Sequence, residues 1–248
     1  MSGHSKWATI KHKKGAADKA RGKLFAKLAR QIEVSAKGGG DIDANPTLRT
    51  AVQKAKAARM TNDAIDRAIK RGTGEADGGT YESIMYEGYA PGGVALMIDV
   101  LTDNRNRTGA DIRGIFTKLG GSMAEPGAVS WQFARRGVII TGEGVDEDTI
   151  MMAALDAGAD DVIAEGDGYR VMTDPSVVYD VKAALDDAGI EVISADSPMV
   201  SDNLVPITDA GEAKSVLRIL EALEDNDDVQ DVFANFDISD ELMEVAAS

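Results

Sequence analysis

The sequence contains no cysteine and few histidines, aromatic residues or prolines. Its 248 residues include two His, two Trp and six Pro. Without cysteine the chain can form no disulfide, thiolate metal ligand or thiol nucleophile, which fits a reducing compartment. No apolar run approaches the roughly 20 residues that cross a bilayer, and no apolar segment follows the N-terminal lysines as in a secretory signal. We therefore expect a cytoplasmic protein with no membrane partner.

Basic and acidic residues are distributed unevenly along the chain. The formal net charge is −15, but residues 1–72 carry 17 basic and 6 acidic side chains, a net of +11. The remaining residues carry 10 basic and 36 acidic side chains, a net of −26. Salt screens exposed charges beyond about 10 Å, so the local sign decides which partner each segment attracts. The basic segment is expected to meet a polyanion.

The basic segment has the pattern of a small helical domain. Leu24, Leu28 and Ile32 recur every four residues, which predicts a helix with an apolar stripe inside and its lysines facing solvent. Asn45-Pro46 predicts the start of a second helix, through about Arg59. A third helix is expected from Thr61 to a stop at Gly72.

Beyond a glycine-rich linker at 72–79, short β-rich runs alternate with amphipathic helices. Residues 135–203 predict strands and helices in the order βαββαβ, with a hairpin turn at Asp167-Gly168, which is the ferredoxin-like arrangement. The flanking β-α-β halves, one of which includes a strand at Val129–Phe133, are expected to form one split domain. The predicted fold class is α+β. The predicted domains are 1–78 (basic, helical), 80–134 plus 204–248 (split α/β) and 135–203 (inserted, ferredoxin-like).

The sequence shows no constellation typical of catalysis. There is no phosphate-binding loop and no nucleophile elbow, and His4 and His12 have no cysteine between them to make a metal pattern. The pairs Asp160-Asp161, Asp186-Asp187 and Asp227-Asp228 lie near helix ends or turns and are interpreted as surface charge. We expect no catalytic residue, no metal and no cofactor.

The strongest candidate site is the basic arm from Lys6 to Arg30, which has nine basic residues and one acid, Asp18. Because like charges repel when unpaired, a polyanionic partner explains the arm better than a solvated helix face does. Trp7 is expected either to stack on a base or to fill the helical core. The candidate nucleic-acid-binding residues of the arm are Lys6, Trp7, Lys11, Lys13, Lys14, Lys19, Arg21, Lys23, Lys27 and Arg30.

Two further segments are candidates. In TDNRNRTG (102–109), a strand leads into a helix, and Arg105 and Arg107 could receive a phosphate; the alternative is a capping loop paired to local acids. The acidic EALEDNDD (221–228) is either a solubilising face or a docking surface for a basic partner.

The ordered motifs GHSKWATIKHKK, ARGKLFAKL, NPTLRTAVQKAKAARM, RAIKRGTG, YEGYAPGGVAL, LTDNRNRT, GAVSWQF and FANFDI resemble the YebC/PmpR family, which includes the mitochondrial translational activator of cytochrome c oxidase subunit I. The resemblance covers nearly the whole chain. It implies a three-domain cytoplasmic protein that is not an enzyme. It also implies either a probable transcriptional regulator that binds DNA or a translation factor acting at the ribosome, including on proline-rich messages. The matching positions are Lys6, Trp7, Lys11, Lys13, Lys14, Arg21, Lys23, Lys27, Asn104, Arg105, Asn106 and Arg107.

We therefore expect a non-enzymatic regulator of gene expression that binds nucleic acid through residues 1–72. Residues 45–72 fit a helix-turn-helix, but the expected exposed positions of its last helix, Asp63, Asp66 and Arg67, are mostly acidic. This favours RNA or shape-directed binding over base readout of DNA. A small-molecule sensor built on the ferredoxin-like units is a further alternative. Protein partners are expected on the acidic α/β domains.

Overall fold

The computed structural model describes residues 18–247, which divide into two compact units: residues 131–204, and residues 18–130 together with 205–247. The helices are α1 (Asp18–Ala36), α2 (Pro46–Ala57), α3 (Asn62–Thr73), α4 (Arg105–Leu119), α5 (Glu147–Asp156), α6 (Val178–Asp187), α7 (Ala210–Glu224) and α8 (Asp240–Ala247). The strands are β1 (Glu82–Tyr89), β2 (Ala95–Thr102), β3 (Ser122–Ala124), β4 (Phe133–Arg135), β5 (Gly137–Thr141), β6 (Ala159–Glu165), β7 (Gly168–Thr173), β8 (Val192–Asp196), β9 (Met199–Ser201), β10 (Val205–Ile207), β11 (Val229–Ala234) and β12 (Phe236–Ile238).

Helices α1 to α3 form a three-helix domain around a small apolar core. Leu28 and Ile32 of α1 are buried against Leu48 and Val52 of α2 and Ile65 of α3. Each helix places its apolar residues three or four positions apart, so one side of each helix is covered by the other two. The expected start of α2 is confirmed. The Asn45 side chain accepts a hydrogen bond from the Leu48 N–H at 3.0 Å, and Pro46 occupies the first helical position, where its missing N–H costs nothing.

Helix α3 does not stop at Gly72 as the sequence predicted; it runs to Thr73, and Gly74 takes the left-handed conformation (φ 82°) that ends it. Gly72 has a different use. A Cβ at this position would overlap the Glu33 carbonyl oxygen and the Ala36 Cβ. Glycine therefore lets α3 approach the backbone of α1 closely.

The split domain has an antiparallel sheet in the order β11-β2-β1-β3. Strand β11 lies beyond the insertion in sequence yet pairs with β2, so the two sequence halves share one sheet. Helices α4 and α7 pack on this sheet, and their buried residues, among them Ile112, Phe116 and Leu220, form one core with Ile98. Strands β10 and β12 form a separate parallel pair.

The inserted unit confirms the predicted ferredoxin-like arrangement. Its strands and helices follow the order β5-α5-β6-β7-α6-β8, and its antiparallel sheet has the order β6-β7-β5-β8. The turn between β6 and β7 lies at Gly166-Asp167, one residue earlier than predicted, because Glu165 pairs with Gly168. Strands β4 and β9 add a short antiparallel pair. The α+β fold class is thus confirmed, and the predicted domain boundaries stay predictions.

The strand predicted at Val129–Phe133 is wrong. Residues Ser130–Gln132 form a 3-10 turn, and the strand β4 begins only at Phe133. The reason is the buried carboxylate of Glu87. It accepts hydrogen bonds from the backbone N–H groups of Gly127 at 2.7 Å, Val129 at 2.6 Å and Ser130 at 3.0 Å. Burial raises the pKa of Glu87, but these N–H groups outweigh burial and hold the pKa below its ordinary value. Amides that bind a carboxylate are not available to a strand ladder.

Candidate nucleic-acid interface

Much of the cationic side of α1 is covered by another part of the chain and is only partly exposed, contrary to the sequence expectation. Lys23, Lys27 and Arg30, which we call the docked face, lie against residues 224–231, which we call the acidic segment. This segment begins at the end of α7 and runs into β11. The apolar stripe predicted for α1 is also narrower than expected, because Leu24 is 45% exposed.

Lys23 and Lys27 bind the C-terminal end of α7. Lys23 Nζ lies 3.0 Å from the Asp225 carbonyl oxygen and 3.4 Å from its Oδ1, and Lys27 Nζ donates to the Glu224 carbonyl oxygen at 2.7 Å. The last carbonyls of a helix lack intrahelical donors and carry the negative end of the helix dipole. Two lysines at this end therefore satisfy acceptors that the helix itself leaves open.

Arg30 makes the most extensive contacts of the docked face. Its Nη1 donates to the Leu101 carbonyl oxygen at 2.8 Å, to the Asp227 carbonyl oxygen at 3.1 Å and to Asp228 Oδ1 at 3.1 Å. The guanidinium also lies 4.9 Å from the centre of the Tyr81 ring, within the range of a cation–π contact. Arg30 thus ties α1 to the end of β2 and to the acidic segment at once.

Asp228 is a buried carboxylate at the centre of these contacts, not the surface charge that the sequence suggested. Asp228 is 7% exposed. Its Oδ2 accepts from Thr108 Oγ1 at 2.6 Å, Arg107 Nη2 at 2.7 Å and Thr102 Oγ1 at 3.2 Å, while Oδ1 faces Arg30. Burial raises the pKa of Asp228, but the bonds from Thr108 and Arg107 outweigh burial, and the pKa lies below its ordinary value. Hydrogen bonding to Asp228 in turn raises the pKa of Arg107.

The TDNRNRTG loop is a capping loop paired to acids. The Asn104 side chain accepts the Arg107 N–H at 3.1 Å and caps α4. Arg107 pairs with Asp103 at 2.9 Å as well as with Asp228. Arg105 is exposed and makes no ion pair within residues 18–247. Of the two predicted arginines, Arg107 is held in ion pairs, and Arg105 is the one whose side chain is free of ion pairs within the described residues.

Two more contacts fasten the helical domain. Lys54 Nζ lies 3.5 Å from Asp231 Oδ2. Glu33, which is 4% exposed, accepts the Arg71 Nε–H at 2.8 Å and the Gly79 N–H at 2.6 Å, so α1, α3 and the linker meet at one carboxylate. Sequence reasoning missed Glu33. The signal was an acid between Ile32 and Val34 in an otherwise basic helix.

The other predicted residues are placed as follows. Arg21 is exposed on α1 and makes no ion pair to another described residue, and Lys19 belongs to the first turn of α1. Lys6, Trp7, Lys11, Lys13 and Lys14 lie outside the described residues. The helical domain also exposes cations that were not among the predicted binding residues, and none pairs with an acid in the described part of the chain: Lys37, Lys56, Arg59, Arg67 and Lys70.

Across residues 18–247, no helix combines the length and apolar character needed to cross a membrane. The same residues contain no cluster of three or more His, Asp or Glu side chains arranged to hold a metal ion.

These features define an α+β protein whose basic helical domain is fastened to a split α/β domain by an acidic segment. Residues 5–75 match the TACO1/YebC protein N-terminal domain, and residues 81–236 match the TACO1/YebC second and third domain. The chain belongs to the TACO1/YebC family, which confirms the resemblance found in the sequence.

Relatives and a solved structure agree with this assignment. Probable transcriptional regulatory proteins of Rubrobacter xylanophilus and Halothermothrix orenii are 56% and 54% identical over 246 and 248 residues, with 98% of each chain covered in both comparisons. The crystal structure of a conserved hypothetical protein from Aquifex aeolicus superposes with a TM-score of 0.79 at 43% identity. That match covers 90% of this chain and 93% of the other.

Proposed function

We propose that this chain is a non-catalytic regulator of gene expression that binds nucleic acid through its basic N-terminal domain, with duplex DNA as the first candidate. The observation that carries the proposal is the separation of charge, +11 over residues 1–72 against −26 over the rest. The name shared by the relatives, probable transcriptional regulatory protein, supports a regulatory role.

The contacts of the docked face indicate which basic residues are available to bind the phosphates of a nucleic acid. Lys23, Lys27 and Arg30 already bind carbonyl and carboxylate oxygens of the acidic segment. Exchanging these contacts for phosphate would give up a large part of the attachment of the helical domain, leaving the contacts of Lys54 and Glu33. We therefore assign phosphate contact to Lys6, Lys11, Lys13, Lys14, Lys19 and Arg21, and assign the docked face to holding the domain in place. Arg105 is a candidate for an additional phosphate contact outside the basic arm.

RNA is the second candidate, and one observation favours it. Asp63 and Asp66 are exposed on α3, the helix that would enter the major groove if α2 and α3 acted as a helix-turn-helix. Carboxylates there repel the phosphates that line the groove. The two aspartates are also not of the types that make the base-reading pairs Arg–guanine and Asn–adenine, although Asn62 and Arg67 of the same helix are exposed.

A salt titration of the full chain tests the proposal. Fluorescence anisotropy is measured on a duplex of about 30 base pairs and on an RNA hairpin of similar charge. If about six phosphates are contacted, affinity falls on the order of 1,000-fold between 50 and 200 mM salt. A flat salt dependence on both polymers would overturn the proposal. Tighter binding to the hairpin, together with co-sedimentation with ribosomes, would select the RNA candidate.

A charge-matched pair of variants locates the interface. Lys11→Gln, Lys13→Gln and Lys14→Gln together are expected to weaken binding and to reduce the salt slope by about one for each phosphate that is no longer neutralised. The control variant, Arg113→Gln, Lys118→Gln and Lys214→Gln, removes the same charge from exposed positions of α4 and α7. An equal weakening of binding by the two variants would mean that net charge, and not the arm, controls affinity.

A further inference from the structure

Helix α5 of the inserted unit exposes three large apolar side chains on one surface. Met151 is 39% exposed, Met152 68% and Leu155 45%. Its opposite side is used for the core, where Ile150 and Ala154 are fully buried. The exposed residues are therefore in excess of what folding of this unit needs.

The three side chains form one continuous patch, which we call the apolar strip. Met151 and Leu155 are four residues apart and so lie one above the other on the helix, and Met152 lies beside them. Scattered single apolar residues are normal on a protein surface, whereas a contiguous patch with a polar rim is typical of an interaction site. Methionine is well suited to such a site because its flexible thioether adapts to different partner surfaces.

Carboxylates bracket the apolar strip at both ends. Glu147 and Asp148 lie one helical turn before Met151 and Met152, Asp156 follows Leu155, and α5 contains no basic residue. Burial raises the pKa of the nearby Tyr169, and the charges of Glu147 and Asp146 raise it further, so the potential at this end of α5 is negative. Residues 131–204 as a whole carry 16 acidic and 4 basic side chains.

We propose that the apolar strip is the docking surface for a protein partner whose contacting element is a cationic amphipathic helix. Such a helix would place its apolar side on Met151, Met152 and Leu155 and its Lys or Arg side chains against the bracketing carboxylates. The two helices would pack through apolar side chains one turn apart, as amphipathic helices do when each covers the apolar side of the other. Anionic lipid headgroups and nucleic acid would be repelled by the same carboxylates. The surface is separate from the basic arm, so the inference does not depend on the proposed function.

The first test uses the full chain and two synthetic helices of defined composition. One is a peptide of leucine and lysine, about 18 residues long and patterned as an amphipathic helix; the other has the same leucine side with glutamate in place of lysine. Calorimetric titration should give saturable binding of one lysine peptide per chain and at least tenfold weaker binding of the glutamate peptide. Absence of binding by the lysine peptide, or equal binding of both, overturns the proposal.

The second test locates the site with matched variants. Met151→Gln, Met152→Gln and Leu155→Gln together should weaken binding of the lysine peptide at least tenfold. The control, Leu24→Gln, Ile193→Gln and Val245→Gln, alters three residues of similar exposure elsewhere and should leave binding unchanged. Equal affinities of the two triple variants overturn the proposal.

The third test addresses charge and self-association. Asp148→Asn with Asp156→Asn should weaken binding severalfold and lower its salt dependence, while Asp180→Asn with Asp187→Asn on α6 should not. Sedimentation of the chain alone is expected to show no dimer that forms through the apolar strip. A dimer that forms as concentration rises and is lost in the variant with Met151→Gln, Met152→Gln and Leu155→Gln would be such a dimer. Such a dimer would make a second copy of the chain the occupant and overturn the assignment to a cationic helix.

Discussion

Arg30 Nη1 and Asp228 Oδ1 lie 3.1 Å apart, although 198 residues separate them in the sequence. The side chains of Arg30 and Asp228 are 19% and 10% exposed. This ion pair joins the first described helix to the start of β11, and Asp228 also holds Arg107 and two threonines. The stability of the basic domain is therefore coupled to the last part of the chain.

Asp228→Asn is expected to lower the free energy of unfolding by about 3 kcal/mol, because the amide leaves the largely buried Arg30 without its carboxylate partner. Arg107 is more exposed and keeps its ion pair with Asp103. Urea unfolding measures the loss. Asp227→Asn is the control: its side chain is 79% exposed, and a change below about 0.5 kcal/mol is expected. Similar losses of stability in the two variants would contradict the central place given to Asp228.

Stability should fall in acid because of Glu87 and Asp228. Both carboxyl groups have folded-state pKa values below their ordinary values, so the folded state binds protons less readily than the unfolded chain does. Their contribution is complete above the unfolded-state pKa of about 4 and is lost as the pH falls through the lowered folded-state pKa. Thermal melts between about pH 7 and pH 3 test this. Glu87→Gln and Asp228→Asn should each give a flatter profile than the unaltered chain.

The docked face and the rest of the basic arm should respond differently when lysines are replaced by glutamine. Lys23→Gln with Lys27→Gln removes interactions with α7 and is expected to cost about 1 kcal/mol of stability, since these interactions are partly exposed. Its effect on nucleic-acid affinity should be less than threefold. Lys11→Gln with Lys13→Gln should have the reverse profile, with unchanged stability and at least tenfold weaker binding. If the first pair weakens binding as much as the second, the docked face also contacts the polymer.

Gly72→Ala should destabilise the helical domain by about 2 kcal/mol, because the new methyl group overlaps backbone atoms of α1 and forces the two helices apart. Gly114→Ala is the matched control. Gly114 lies inside α4 with no atom near the position of a Cβ, and alanine there is expected to stabilise by about 0.5–1 kcal/mol. Chemical denaturation measures the free energy of unfolding of both variants, which is expected to fall for Gly72→Ala and to rise for Gly114→Ala.

The sequence predicted the local features of the fold well. Asn45-Pro46 fixes the start of α2 through side-chain and backbone chemistry within four residues, and the βαββαβ order follows from the periodicity of its segments. The strand predicted at Val129–Phe133 is wrong because the amides of Val129 and Ser130 bind Glu87, some 40 residues away. No local pattern encodes that interaction.

At the candidate site, too, the sequence predicted what depends on neighbouring residues and missed what depends on residues far away in the chain. Periodicity placed Lys23, Lys27 and Arg30 on the side of α1 opposite its apolar stripe, which is where they lie. It predicted solvent there, because the acidic segment that covers them is some 200 residues further along the chain. Asp228 was interpreted as surface charge for the same reason.

The pairing of β2 with β11 sets an order of events during synthesis. About 130 residues separate the end of β2 from its neighbour, so at about 5–20 residues per second a nascent chain spends roughly 6–25 seconds with that edge of the sheet bare. The inserted unit is complete before β11 has been made. A chain cut short before residue 224 would lack both β11 and the carbonyl and carboxylate groups that bind Lys23, Lys27 and Arg30. Truncation of the C-terminus would therefore also be felt at the N-terminal domain.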